Sequence, residues 1–215
     1  MLISVVGKQK EFDQGANALD ILKELNPSAG KSAIAARLNG ELVELMQPLD
    51  ESGELSPIGF EDDEARHVLR HTASHVLANA VQNLFPGTRL AIGPSIENGF
   101  YYDFGMKEPL TPDDLPKIEK EMQRIIKKNE REERFTLPRE EAIAFMQERG
   151  EPYKVELIND LPEDAEISFY RQGEFVDLCA GPHLPSTGRI KAFKLTSLAG
   201  AYWRGNEKNK MLQRV

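Results

Sequence analysis

The chain has 215 residues, 40% hydrophobic and 29% charged, with a mean hydropathy of −0.47. That is enough for one large domain or two small ones with real cores, and no apolar run approaches the roughly 20 residues a bilayer-spanning helix needs. One cysteine excludes an internal disulfide and leads to the expectation of a reducing, cytoplasmic setting. The start, MLISVVGKQK, soon turns polar and lacks a basic leader region, so no secretory signal is expected. The net charge of −8 is unevenly placed: residues 1–64 hold 5 basic and 13 acidic side chains, which account for all of it.

The first segment reads as strand Leu2 to Val6, a turn at Gly7, a second short strand, and a helix from Ala16 to Leu25 that stops before Asn26-Pro27. A hairpin follows, Ala35 to Leu38 and Glu41 to Leu45 about the Asn39-Gly40 pair, whose residues tolerate positive φ. Strands, a helix and further strands in so short a span predict a small β-grasp-like module over 1–62. The run Glu61-Asp62-Asp63-Glu64 reads as a linker that also places negative charge on the first turn of the next helix.

That helix, residues 64 to 84, is closed by Pro86-Gly87, and Leu69, Ala73, Val76, Leu77, Ala80 and Leu84 form one stripe on it. His67, His71 and His75 fall nearly opposite with Gln82, so they either face solvent or line a cleft under a second layer. Further on, Thr111-Pro112-Asp113-Asp114 reads as a helix start, with Leu115, Ile118, Met122, Ile125 and Ile126 as its apolar face. Pro138 to Arg149 reads as another helix closed by Gly150. Strand-like pieces follow at Tyr153 to Ile158, Ile167 to Tyr170, Phe175 to Leu178 and Arg189 to Leu198, with a turn at Gln172-Gly173. Residues 63–215 are therefore expected to form an α+β domain with helices packed on an antiparallel or mixed sheet.

Two pairs of residues carry chemistry. His71 and His75 stand at i, i+4 on one helical face, and Cys179 and His183 share that spacing about Gly181-Pro182, which predicts a loop. Together they make a zinc-like donor inventory; Cys179 also reads as a small buried residue. Asp177 shares a strand face with Cys179. Lys154 is expected mid-strand, either as an edge charge that discourages aggregation or as a cation that positions water or an oxyanion. Residues 186–215 set Arg189, Lys191, Lys194, Arg204, Lys208, Lys210 and Arg214 against Glu207 alone, with Phe193, Tyr202 and Trp203 among them. Such a segment suits a phosphate backbone or a solvated surface.

RHTASHVLANA, AIGPSIENGFYYDF, EPYKV, DLCAGPHLPSTG and LTSLAGAYWRGNEKNKMLQR resemble, in order, the motifs of the second amino-terminal domain of bacterial threonyl-tRNA synthetases. The first segment resembles the TGS module that precedes it, and the likeness covers essentially the whole chain. It implies a TGS domain at 1–62, an editing domain at 63–215, and hydrolysis of seryl-tRNA mischarged on tRNA for threonine. Serine lacks only a methyl group, worth roughly 1–3 kcal/mol of discrimination, so a second, size-excluding site is needed. By resemblance His71, His75, Lys154, Asp177, Cys179 and His183 line that site and Tyr102 contacts the terminal nucleotide.

The resemblance further implies editing by ordered water without a required metal, although zinc on His71, His75, Cys179 and His183, as in the alanyl-type relatives, is an alternative. The tRNA acceptor end carrying serine is the implied partner, with no membrane, together with the remaining synthetase domains of a homodimeric full-length protein. The ATP and zinc sites of the ligase domain are not expected in this chain, so no ligase activity is expected of it. Two other readings stay open: a free-standing zinc-dependent aminoacyl-ester hydrolase, and a non-catalytic tRNA-binding or regulatory module.

Overall fold

A computed structural model describes Met1–Val215, and the chain divides into two compact units. The first comprises Met1–Arg70 with Pro182–Pro185 and the second His71–Gly181 with Ser186–Val215.

In the first unit β1 (Leu2–Val5) and β2 (Lys8–Glu11) form a hairpin whose turn sets Val6 and Gly7 at positive φ. α1 (Ala18–Leu25) starts two residues later than the sequence suggests, because Asn17 caps it by accepting the Asp20 N–H at 2.9 Å. A short helix that the sequence reading left out, α2 (Pro27–Ser32), follows at once, with Pro27 in its first turn. Next come β3 (Ala35–Leu38), β4 (Glu41–Val43) and β5 (Gly53–Ile58), and the Asn39-Gly40 turn takes the left-handed conformation expected of it. The sheet order β2-β1-β5-β3-β4, with β1 and β5 parallel, is a β-grasp arrangement closed by Ile21, Leu22, Leu45 and Leu55. The acidic run is engaged locally: Arg37 pairs with Asp62 and Glu64, and Asp62 accepts the Glu64 and Ala65 amides.

α3 (Asp63–Leu84) supplies the long helix. From Thr72 to Val81 every residue is buried, so this stretch lies under protein on all sides and not along one stripe. Leu84, assigned to that stripe, is 38% exposed because it stands beyond the covered part. Short strands β6 (Arg89–Leu90), β7 (Ser95–Ile96), β8 (Gly99–Phe100) and β9 (Asp103–Gly105) lead to a 3-10 turn at Pro112–Asp114 and to α4 (Leu115–Lys128), which buries Ile118, Met122 and Ile125. β10 (Glu132–Thr136), α5 (Arg139–Glu148), α6 (Pro152–Asp160), β11 (Ser168–Gln172), β12 (Phe175–Leu178), β13 (Ala199–Tyr202) and β14 (Met211–Arg214) complete the second unit.

Two sheets position its functional residues. One is antiparallel, in the order β10-β11-β12; the other runs β13-β14-β9-β6, and β7 and β8 pair separately. Helices over antiparallel sheets make this an α+β unit, as expected. Two expected strands are absent. Tyr153–Ile158 lies inside α6: Pro152 opens a helix and the Lys154 amide bonds the Glu151 carbonyl, which the short apolar alternation concealed. Arg189 ends a 3-10 turn at Thr187–Arg189, and the chain up to Leu198 pairs with no strand; the ladder forms later, at β13.

Phe169 of β11 is fully buried and stacks on Phe135 with centroids 5.3 Å apart. It also pairs in register with Leu178, next to Asp177. Phe169→Ala should cost about 3–5 kcal/mol, read as a lowered denaturation midpoint in urea with an unchanged slope.

Candidate functional site

The site is assembled from α3, α6, β9, β12 and their flanking loops. One ligand atom from each of His71, His75 and Cys179 lies within 4.8 Å of the others. Cys179 Sγ is 3.2 Å from His71 Nε2, and the imidazoles of His71 and His75 meet edge to face with centroids 5.2 Å apart. The helix face and the post-strand loop, distant in sequence, are thus brought together as the two pairs suggested. Cys179 sits one residue past β12: its amide donates to the Ser168 carbonyl, Ser168 Oγ donates to its carbonyl, and the Gly181 amide points at its sulfur at 3.2 Å.

Behind this trio is a buried charged layer. Asp177 is 2% exposed; Lys154 Nζ stands 2.7 Å from its Oδ1, and Tyr102 donates its hydroxyl to Oδ2 at 2.5 Å. The same Oδ2 lies 3.7 Å from His75 Nε2, an electrostatic contact too long for a hydrogen bond. Lys154 also stands 5.5 Å from the centroid of the Tyr102 ring, a cation-π distance. Removing one partner of such a buried pair leaves an uncompensated charge, at about 3–5 kcal/mol.

Tyr102, assigned by resemblance to the terminal nucleotide, is fully buried, stacked on Phe104, and spends its hydroxyl on Asp177. Its place here is in the wall of the site. Burial, reinforced by the charge of Asp177, raises its hydroxyl well above the usual range for tyrosine and keeps it a donor. Burial likewise pushes His75 well below the ordinary histidine value, helped by His71 and the Lys154 ammonium, so its imidazole is neutral near pH 7. Gly93 allows the close approach this wall needs: a Cβ there would fall 2.0 Å from the Tyr102 ring. Ser74 fixes that glycine by donating to its carbonyl at 2.6 Å.

His183 belongs to the first unit, where it is buried and its backbone amide donates to Glu44 Oε1 at 3.0 Å. His67, the third histidine of the helix spacing, is exposed.

Glu151 escaped the sequence reading. It is 5% exposed, immediately precedes α6, and accepts hydrogen bonds from Gln82 of α3 and the Leu90 amide of β6, each at 2.7 Å. It thereby ties together the elements that carry His75, Tyr102 and Lys154. The available signal was an acid directly before the proline that opens a helix, in EPYKV.

Two family models match. Residues 6–56 match the TGS domain, and residues 167–215 match the threonyl and alanyl tRNA synthetase second additional domain. The two matches stand in that order along the chain, a TGS module followed by an additional domain of the aminoacyl-tRNA synthetase kind. Over 206 residues, 96% of this chain and 32% of the relative, it is 58% identical to the threonine-tRNA ligase of Carboxydothermus hydrogenoformans. Over 209 residues, 97% of this chain and 33% of the relative, it is 58% identical to that of Clostridium tetani. The chain spans about a third of the length of these curated relatives and belongs to the amino-terminal region of the threonine-tRNA ligase family.

Burial raises the Glu151 carboxyl to about 7 against the pull of its Leu90 and Gln82 donors, with Asp177 adding to the rise. A carboxyl raised in the folded state contributes stability that is present below its unfolded value and lost as pH rises through about 7. Wild-type protein should therefore lose more stability between pH 5 and 8.5 than Glu151→Gln, by up to about 3 kcal/mol. Denaturant titrations of both across that window check it; parallel curves would remove the perturbed carboxyl.

Proposed function

We propose that the second unit hydrolyses the ester of seryl-tRNA mischarged on tRNA for threonine, clearing errors that the synthetic site cannot reject. The observation that carries this reading is the approach of Cys179 to His71 beside the buried Lys154–Asp177 pair. This places soft donors, imidazoles and a fixed ammonium within a few ångströms.

The reaction breaks the bond between the seryl carbonyl carbon and the ribose oxygen and forms one to a water oxygen. Lys154 is ion-paired with Asp177 Oδ1 at 2.7 Å, and its N–H donors hold the attacking water and draw charge from the carbonyl oxygen. Asp177 keeps the ammonium in place, and Tyr102 keeps Asp177 in place. His71 takes the proton that the attacking water loses and delivers it to the departing ribose oxygen, so the hydrolysis balances. Serine is admitted and threonine refused on the volume of one methyl group.

The donor set of the second unit also fits a metal: His71, His75 and Cys179 have suitable atoms within 4.8 Å of one another, three ligands that would leave a position for water. Zinc held there would supply a water acidic near pH 7. The ammonium of Lys154 already provides electrostatic activation, so the reading adopted is metal-free, and deacylation should survive chelation with zinc well below one equivalent by elemental analysis. Stoichiometric zinc whose removal stops turnover would replace it with the metal reading.

Incubated separately with seryl-tRNA and threonyl-tRNA for threonine, the protein should release serine and spare threonine. His71→Ala and Lys154→Ala, with the fold verified by circular dichroism, should lower seryl release at least 100-fold, the scale of lost acid-base or electrostatic catalysis. Full activity in both variants would reject the assignment.

A further inference from the structure

Helix α4 sorts its charges by direction. Its acids turn inward: Glu119 accepts from the Leu195 amide and pairs with Lys194, and Glu121 is held by Asn83 and Arg124, with side chains 16% and 13% exposed. Its cations turn outward. Lys117, Lys120, Arg124 and Lys127 recur at spacings of three and four, all exposed, and so form one stripe. From the first to the last the stripe runs about 15 Å along the helix axis. Together with Leu84, Gln123 and the partly covered Glu121 it lines a groove of about 520 Å³ at the end of α3.

Helix electrostatics explain only half of this. Cations in a last turn complement the helix dipole, which accounts for Lys127 and Lys128. Lys117 and Lys120 stand in the amino-terminal half, where the dipole opposes them. Asp114 offsets Lys117 at 2.8 Å, and Lys117 still remains 64% exposed. The basic segment marked in the sequence is engaged elsewhere: Arg204, Arg214 and Lys194 are paired with Asp160, Asp103 and Glu119, and Lys191 is tied to the Gly188 carbonyl.

We propose that the outward face of α4 is a binding surface for the sugar-phosphate backbone of RNA, placed to hold a nucleic-acid substrate while its end is processed elsewhere. The proposal deepens the editing reading and rests on it for the identity of the substrate. Its occupant follows from charge complementarity: a one-sided, regularly spaced row of cations on a chain of net charge −8 suits a polyanion with repeating charge. The grip is independent of base sequence, because only phosphates are engaged.

The test measures binding separately from catalysis. A fluorescent RNA hairpin with a single-stranded 3′ tail and no amino acid is titrated with wild-type protein, with the triple variant Lys117→Ala, Lys120→Ala, Lys127→Ala, and with a control triple of equal charge change in the first unit, Lys8→Ala, Lys23→Ala, Lys31→Ala. The α4 triple should weaken binding about tenfold or more near 0.1 M salt and shallow the logarithmic salt dependence by about three. Its seryl release at sub-saturating protein should fall in proportion to the lost binding, and the control should match wild type. Equal losses in both triples, no loss in the α4 triple, or no RNA binding by wild type would each overturn the proposal. Wild type that binds in this pattern without deacylating would sink the editing reading and leave the surface standing.

Discussion

One buried carboxylate organises the second unit. Asp177 is almost sealed from water and is the common point of a lysine ammonium from α6, a tyrosine hydroxyl that precedes β9, and a histidine of α3. A charge so placed is tolerable only while its partners are held, so every element that brings one must be fixed. The aromatic packing of β11, the Gly93 approach to Tyr102 and the Glu151 hydrogen bonds all serve that end. Geometry at the candidate site is inherited from electrostatic necessity one layer below it.

This layering explains what was legible in the amino-acid order. The β-grasp hairpins were readable because Gly7 and Asn39-Gly40 need backbone angles few other residues accept. The two donor pairs were readable because i, i+4 spacing on a long helix fixes a face regardless of what packs there. Their convergence was inferable from chemical likeness alone, since nothing local brings residue 71 to residue 179.

The failures share a cause. Lys154 was placed on a strand because Tyr153, Val155 and Leu157 alternate; in α6 the partners that decide its conformation, Glu151 and Pro152, precede the alternation. Residues 189–198 carry strand-forming side chains, yet the ladder of the sheet β13-β14-β9-β6 is built from segments on either side of them. Leu84 fell on the apolar stripe, but a stripe predicts burial only as far as neighbours extend. Glu151 was invisible because a raised carboxyl depends on surroundings drawn from α3, β6 and β12, none of them adjacent in sequence.

The backbone of Tyr102 exchanges two hydrogen bonds, each 3.1 Å long, with Val215, more than a hundred positions downstream. A ribosome delivers the chain from one end, so the tyrosine emerges long before the residue that clamps it. Until translation passes that point, the wall behind Asp177 lacks its outer ladder and the charged layer has no dry compartment. Closure of the second unit around Asp177 therefore waits on the segment that carries β14 and Val215.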